Sequence, residues 1–472
     1  MTIKKLLIAN RGEIAIRIAR TANDLGIQTV AVYADDDAAS LHTRHADEAV
    51  SLEATGVPAY LDGDKVVEIA SRTGCDAVHP GYGFLSEIAE FASACEAASI
   101  TYVGPTPEAL ARFGDKALAR SLAESCGVPL LPGVSHAVTL VEAHAFFDSL
   151  EGGAVMLKAI AGGGGRGMRP VLNKADLDEA FERATSEANA AFGSGDVYIE
   201  ELLPLARHVE VQVLGDGTGD AIHLWDRECS LQRQRQKLVE IAPAFALEDA
   251  TRSAMHEAAL QLAKAINYRG LGTVEFLVDA RPDAGERFVF MEANARLQVE
   301  HTVTEEVTGF DLVALQLAVA GGATLASQGL TQASVPEPRG TAVQVRVNLE
   351  TMGRDGSSRP GGGVLTAYEP PAGPGIRVDG FGYAGYTTSI HYDSLLAKLI
   401  VSGADLTAAL RKTRRALAEF RIEGARSNTS FLAALLGQAS FADGSIHTRY
   451  VEENIDVLLD ADADRARYFE PD

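Results

Sequence analysis

Apolar and polar positions follow two different periods over the first hundred residues. Leu6–Ala9 is a continuous apolar run of the kind a parallel sheet buries on both faces, and Thr29–Tyr33 is a second, β-branched one. Between them Ile14, Ile18 and Leu25 recur at helical spacing, and Gly26 ends the pattern. Ala77-Val78 and Ile100–Val103 read as further strands, with a helix across Glu87–Ala98. Strand and helix in alternation predict a doubly wound parallel sheet. Asp35–Asp37 supplies an acidic cluster after the second strand, as in dinucleotide folds. The first turn, Asn10-Arg11-Gly12-Glu13, lacks G-x-G-x-x-G, which argues against nicotinamide binding.

A second region runs from about Phe113 to Ala320, punctuated by glycine-rich stretches. Gly321–Gly340 has no periodicity and reads as a loop or linker. From Thr341 short strands alternate with Gly/Pro turns, at Ala342–Leu349, Gly363–Tyr368, Ile376–Val378 and Leu395–Val401, followed by a helix over Leu406–Phe420. The acidic, polar stretch Asp456–Asp472 reads as a tail or the start of a linker.

The densest pattern is Glu292 to Glu300, E-A-N-A-R-L-Q-V-E, after the strand-like Arg287–Met291. If the run is extended, Glu292, Asn294, Arg296, Gln298 and Glu300 line one face, while Ala293, Ala295, Leu297 and Val299 anchor the other. A solvated strand would favour Lys, Thr and Ser. This face offers oxygen ligands for a hard cation, a guanidinium for planar anions and a carboxylate able to take a proton. It reads as an active-site wall.

Composition narrows the class. A chain of 472 residues exceeds one core, and 46% hydrophobic with 23% charged residues is globular. The net charge of −23 disfavours nucleic acid and anionic membranes, so an anionic substrate must be drawn in by local Lys and Arg. Cys75, Cys95, Cys126 and Cys229 form no C-x-x-C pair, which fits reduced thiols and argues against structural zinc. The opening apolar stretch is too short for a signal peptide and no run spans a membrane, so a cytoplasmic protein is expected.

Further segments carry chemistry. Gly162–Gly165 with Arg166, after the strand-like Val155–Lys158, suits a flexible lid over nucleotide phosphates, though no G-K-[ST] follows. Lys116 after Gly114-Asp115 is within the repertoire of phosphate contacts, and of ordinary surface lysines. Val197–Leu203 reads as a strand running into a connector, where Glu200 or Glu201 would accept from an adenine amino group or a ribose; a plain strand end fits equally. Gly272–Asp279 and the strand carrying Glu292 form a hairpin through Arg281–Gly285, which would bring Glu275 against Glu292. Two carboxylates sharing a site repel unless a cation lies between them, so with Asn294 they suit Mg²⁺ or Mn²⁺. Gln232–Lys237 sets cations and amides at period two, as a solvated edge strand also would. His79–Glu87 follows a parallel strand's carboxyl end, where ligands dock in such sheets, although Ser86-Glu87 also suits a helix cap.

Together these segments resemble biotin carboxylase, the ATP-grasp component of biotin-dependent carboxylases, from Ile8 to about Asn454. The matching motifs are I-A-N-R-G-E-I-A (8–15), H-P-G-Y-G-F-L-S-E (79–87), K-A-x-x-G-G-G-G-R-G-M-R (158–169), R-H-V-E-x-Q-V-L (207–214), G-T-V-E-F-L (272–277), E-A-N-A-R-L-Q-V-E-H (292–301) and Y-D-S-L-L-A-K-L (392–399). The resemblance implies an α/β and α+β multidomain chain. Residues 1–112 would be an N-terminal doubly wound domain, and 113–320 an ATP-grasp domain with a mobile glycine-rich lid at about 130–203. A linker at 321–340, a β-rich C-terminal domain at 341–450 and a tail or linker at 451–472 would complete it. It implies that Lys116, Lys158, Gly163, Gly164, Gly165, His208, Gln232, Arg235 and Leu277 contact ATP, and that Glu200, Leu202 and Leu203 line the adenine pocket. Glu275, Glu292 and Asn294 would hold Mg²⁺ or Mn²⁺, two ions in the family. Lys237, Arg296, Gln298 and the Val299 backbone would bind bicarbonate, with Glu300 its general base; Tyr82 and Arg346 would face biotin.

The implied reaction is bicarbonate attack on the ATP γ-phosphate, release of CO₂ from carboxyphosphate, and carboxylation of biotin with Arg296 and Arg346 stabilising its enolate. Departures from the family are Gln234 and Arg235 in place of arginine and histidine, Ala293 and Ala295 in the acidic run, and Leu349-Glu350-Thr351-Met352 after Arg346. The chain has no Met-Lys-Met for biotin attachment and no carboxyltransferase motif. Carrier and transferase domains or subunits are therefore expected as partners, and Arg17 lies where family members dimerise. The expected acceptor is an acyl-CoA first, with pyruvate or urea as alternatives. A different ATP-grasp ligase and a non-catalytic nucleotide-binding scaffold are the competing readings.

Overall fold

The computed structural model describes residues 3–134, 136–150, 153–160, 167–281, 285 and 287–461. Strands β1 (Lys5–Ile8), β2 (Gln28–Tyr33), β3 (Glu48–Ser51), β4 (Ala77–His79) and β5 (Thr101–Tyr102) form an all-parallel sheet in the order β3-β2-β1-β4-β5. Leu6, Leu7 and Ile8 are wholly buried because helices cover both faces. The helix Gly12–Asp24 buries Ile14 and Ile18, and the left-handed Gly26 (φ +71°) turns the chain out of it. The helix expected over Glu87–Ala98 is the shorter Ala89–Ala97.

A small antiparallel sheet follows, built from β6 (Gly133–Val134), β7 (Ala154–Ala159), β8 (Met168–Val171) and β9 (Val197–Leu202) in the order β6-β9-β7-β8. Its core, including Val155, Leu157, Val171 and Ile199, is separate from the others. Gly163, Gly164 and Gly165, expected to touch phosphate, lie outside the described residues, as does Arg166.

The centre of the molecule is an antiparallel sheet. Its first strands are β10 (Ala206–Asp216), β11 (Ala221–Arg233), β12 (Gln236–Ala242), β13 (Arg269–Asp279), β14 (Phe288–Asn294) and β15 (Thr341–Asn348). The chain then makes the hairpin β16 (Glu350–Met352) with β17 (Ser358–Pro360), passes through β18 (Ala367–Glu369), and returns as β19 (Ile376–Gly380) and β20 (Leu395–Gly403); β21 (Arg421–Glu423) pairs with β18. The eight strands run β14-β13-β10-β11-β12-β15-β20-β19. The second and third regions thus share one sheet through the β12–β15 ladder. The strand expected at Gly363–Tyr368 has its ladder only at Ala367–Glu369.

Two connecting segments are more ordered than their composition predicts. Within 321–340, Leu325 is buried and the Gln332 amide oxygen accepts the His223 backbone N–H at 2.9 Å. After residue 450, expected as tail or linker, the helices Tyr450–Glu453 and Ile455–Asp460 bury Val451, Ile455 and Leu458 in the core beneath β15 and β20. Apolar residues at helical spacing within an acidic stretch explain the difference: the charges sit outward, as in the Arg354–Asp456 pair at 2.7 Å. Arg17, expected near a dimer face, is buried and bonds Glu305 (2.6 Å) and Asp311 (2.8 Å) of the same chain. No helix among the described residues is long and apolar enough to cross a membrane.

Candidate active site

Register across the central sheet assembles a row of charged side chains from four adjacent strands. Glu292 (β14) faces Glu275 (β13), Glu275 faces Glu210 (β10), and Glu210 faces Arg227 (β11). Two residues along each strand, Asn294, Thr273 and Gln212 form a parallel polar row. The alternate residues Val209, Val211, Val274 and Phe276 enter the apolar core on the opposite face. The β13–β14 register shifts by one residue beside Glu275, and this irregularity aligns Glu275 with Glu292.

The extended run predicted for Glu292–Glu300 ends at Asn294. Beyond it the chain leaves the ladder and buries Leu297 completely against Ile8, Ile14, Val103 and Leu271, between the parallel and central sheets. The polar residues still converge, now through side-chain bonds. Arg296 donates to Asn294 (3.0 Å), Gln298 (2.7 Å) and Glu87 (2.8 Å), while Asn294 and Gln298 each donate to Glu275 Oε1, at 2.7 and 3.2 Å.

Lys237, on β12 just after a tight hairpin, gathers the carboxylates. Its Nζ lies 2.6 Å from Glu210, 2.6 Å from Glu300 and 3.4 Å from Glu275. Arg346 of β15 holds the other oxygen of Glu300 at 3.0 Å and is itself held by the fully buried Glu240 at 2.6 Å. Glu300 therefore lies between two cations. Burial raises its carboxyl, but Lys237, Arg346 and Arg227 override that and keep it well below the usual range. Burial likewise opposes the Lys237 ammonium, which Cys229, Glu210, Glu275 and Glu300 nevertheless hold well above its ordinary value. Glu275 is lowered despite burial, by Lys237 and His208, whereas burial and the Glu275 charge raise Glu292.

The residues expected to contact nucleotide are spread over the central sheet, the small antiparallel sheet and the helix that Lys116 begins. His208 Nε2 is 2.7 Å from Glu275, and Gln232 Nε2 is 3.3 Å from His208 Nδ1. Lys158 forms an ion pair with Glu200, so that carboxylate is engaged, and Glu201 pairs with Arg287 at 3.0 Å. Leu203 and Leu277 meet in an apolar cluster with Leu131 and Val289; Leu202 ends β9 nearby in sequence. Lys116 begins the helix Lys116–Ser125, and burial lowers its ammonium while Glu292 opposes the shift. Arg235 occupies the tip of the β11–β12 hairpin with φ +68°. Tyr82 donates its hydroxyl to Glu13.

Sequence reasoning missed Glu210, Arg227 and Glu240, all wholly buried. The signal for Glu210 was present: His208, Glu210 and Gln212 share one parity in β10, against Val209, Val211 and Val213. Among the described residues, metal-capable ligand atoms lie within 4.8 Å of one another at His208, Glu210 and Glu275, and at Glu210, Cys229 and Glu300. Three family models cover most of the chain: "Biotin carboxylase, N-terminal domain" at 2–110, "Carbamoyl-phosphate synthase L chain, ATP binding domain" at 115–328, and "Biotin carboxylase C-terminal domain" at 344–453. The biotin carboxylase domain of Hydrogenobacter thermophilus 2-oxoglutarate carboxylase, solved as a dimer with MgADP, ADP and bicarbonate, is 38% identical with TM-score 0.90, and 100% of each chain is covered.

The chain belongs to the biotin carboxylase family. Its architecture of parallel-sheet, ATP-grasp and C-terminal domains is that of the family. Other relatives are longer. A pyruvate carboxylase of Aspergillus terreus is 46% identical over 463 residues, covering 97% of this chain and 38% of its own length. A single-chain, multi-domain long-chain acyl-CoA carboxylase of known structure is 45% identical with TM-score 0.85, covering 100% of this chain and 44% of that one. The chain thus spans well under half of the multidomain carboxylases it matches. The carboxylate row gathers oxygen ligands of the type that would suit a divalent cation, and Lys237 and Arg346 beside Glu300 are donors that would suit a small anion. Glu275 is buried and Glu292 half-buried, both hard-oxygen groups; desolvation and the Glu275 charge together raise the Glu292 carboxyl, and a divalent cation would relieve the repulsion between them. The Asn294 amide now turns its nitrogen to Glu275 and its oxygen to Arg296.

Proposed function

We propose that the chain carboxylates biotin, borne on a carrier domain or subunit, using ATP and bicarbonate. The observation that carries this reading is the Glu300 carboxylate held between Lys237 and Arg346, with Arg296 and Gln298 alongside. Bicarbonate entering this corner competes with Glu300 for the Lys237 ammonium, and with Glu87 and Gln298 for the Arg296 guanidinium. As Lys237 turns to the anion, Glu300 loses its nearest cation and its basicity rises, so substrate binding itself readies the base. Glu300 takes the bicarbonate proton, and the anion attacks the γ-phosphorus of ATP in line as its bond to the β-phosphate oxygen breaks, giving carboxyphosphate and ADP.

Lys116, Lys158, His208, Gln232 and Arg235 act on nucleotide, with Leu202, Leu203, Leu277 and the Glu200 segment as the adenine wall. Opening the Lys158–Glu200 pair frees both groups for it. Glu275, Glu292 and Asn294 hold Mg²⁺ or Mn²⁺, which neutralises phosphate charge when bound. Tyr82 and Arg346 face the biotin ring, and Arg296 with Arg346 stabilise its enolate. The relative solved with MgADP and bicarbonate supports this ligand set.

The acceptor of the carboxyl group is read as pyruvate, since curated relatives sharing 46% identity are pyruvate carboxylases; the acyl-CoA reading favoured by sequence alone becomes the second, supported by the 45% identity to a long-chain acyl-CoA carboxylase. Carrier and carboxyltransferase partners are supported by the multi-domain organisation of the long-chain acyl-CoA carboxylase, and a homodimer by the dimeric 2-oxoglutarate carboxylase domain. The test is bicarbonate-dependent ATP hydrolysis with free biotin and Mg²⁺. Biotin should stimulate it, and Glu300→Gln should lower kcat by about 100-fold; ATP turnover indifferent to both bicarbonate and biotin defeats the proposal. Labelled bicarbonate transfer to pyruvate or to acyl-CoA, with carrier and transferase supplied, decides the acceptor.

A further inference from the structure

Two of the sequence motifs have no part in the chemistry above: I-A-N-R-G-E-I-A, containing Glu13, and Y-D-S-L-L-A-K-L, containing Lys398. They meet beneath the site. Lys398 is wholly buried, with its Nζ 3.1 Å from Glu13 Oε2, and it donates to the Val299 carbonyl at 3.0 Å. Glu13, itself buried, accepts the Tyr82 hydroxyl through its other oxygen. Lys398 is also the direct cross-strand partner of Arg346, the residue that holds Glu300.

We infer that Lys398 and Glu13 are positioning residues that lock the bicarbonate loop and the biotin-facing tyrosine to one buried charge pair. The inference rests on the function proposed above. After Asn294 the chain has left the β13 ladder, so the backbone of 296–299 lacks strand bonds to hold it. Lys398 supplies a charge-assisted bond to the carbonyl of Val299, whose peptide carries the N–H of Glu300. Neighbouring strands thus fix adjacent parts of one dipeptide: Arg346 takes the Glu300 carboxylate and Lys398 takes the Val299 carbonyl. Glu13 neutralises Lys398 in a site from which water is excluded, and its second oxygen sets the Tyr82 hydroxyl. The bicarbonate side and the biotin side therefore share a support drawn from the first helix, the loop after β4, and β20.

The test uses the full chain with Lys398→Met, Lys398→Arg, Glu13→Gln and Tyr82→Phe. Lys398→Met is expected to raise the bicarbonate KM at least tenfold while the ATP KM changes less than twofold, with Lys398→Arg recovering part of the loss. Glu13→Gln is expected to weaken both bicarbonate binding and biotin stimulation, whereas Tyr82→Phe weakens biotin stimulation alone. Hydrogen exchange in Lys398→Met should quicken at Leu297–His301 before any global change. An unchanged bicarbonate KM with unchanged local exchange overturns the inference, as does a uniform loss that leaves the two KM values in their original ratio. If Lys398→Met does not fold, Glu13→Gln and Lys398→Arg decide by the same bicarbonate-to-ATP KM comparison. Wild-type protein with no bicarbonate-dependent turnover would instead defeat the proposed function, so the two failures are distinct.

Discussion

Replacing Glu210 by glutamine keeps its shape and removes one charge from the centre of the site. Its Oε1 accepts from Arg227 Nε at 2.5 Å and its Oε2 from Lys237 at 2.6 Å, and neither Glu210 nor Arg227 is exposed. Breaking a buried ion pair by removing one partner costs about 3–5 kcal/mol. Arg227 keeps bonds to Gln212 (2.8 Å), Thr304 (3.0 Å) and Thr273 (3.1 Å), so the expected cost lies at the lower end, about 3 kcal/mol. For a folding unit the size of the central region this corresponds to a fall in Tm of roughly 6–12 °C. Function changes by a separate route. Lys237, released by Glu210, draws closer to Glu300 and is less available to an entering anion, so the bicarbonate KM should rise about tenfold, the equivalent of about 1.4 kcal/mol. Scanning calorimetry and bicarbonate-dependent ATP hydrolysis measure the two effects. A variant melting within about 2 °C of wild type with an unchanged bicarbonate KM would refute the reasoning, because a pair so fully desolvated cannot be lost without consequence.

Buried histidines predict acid sensitivity. His42, its Nε2 facing the Val32 carbonyl, is pushed down to about 4 by burial, with Arg11 adding to the shift and Asp37 opposing it, and His79 falls to about 3, also through burial. The unfolded chain takes up these protons below about 6.5, so stability is full above that pH and is lost as pH falls toward the folded values, by about 2 kcal/mol per histidine at pH 5; a flat unfolding profile between pH 7.5 and 5 would contradict this. Arg235→Gly relieves a positive φ at the hairpin tip and should stabilise the protein by roughly 1 kcal/mol while raising the ATP KM, so calorimetry showing a loss of stability would count against the turn assignment. Leu297→Ala should cost about 2–5 kcal/mol and lower bicarbonate-dependent turnover as well, because the same buried anchor aims Arg296 and Gln298; normal turnover in a destabilised variant would separate the two roles.

Local periodicity made much of this molecule legible. Apolar runs at Leu6–Ala9 and Thr29–Tyr33, with Ile14 and Ile18 between them, specify a parallel sheet because period determines which side chains share a face, and that is a property of a few consecutive residues. The same rule groups Glu275 and Glu292 by their hairpin, and applied to β10 it puts His208, Glu210 and Gln212 on one face. It failed where a tertiary contact competes: past Asn294 the burial of Leu297 between two sheets outweighs continued pairing, and the polar residues converge through a turn.

What the chain alone determined is therefore the kind of chemistry: carboxylates, amides and cations in the right local order, and the family they identify. Which of them act together was decided by strand order and by long connections. Glu210 meets Lys237 because β10 and β12 flank β11, Arg346 meets Glu300 because β15 joins the sheet at β12, and Lys398 meets Glu13 because β20 lies beside β15 against the first helix. A buried charge is tolerable only with its partner in place. Those partners come from segments far apart in sequence, and the folded sheet brings them together.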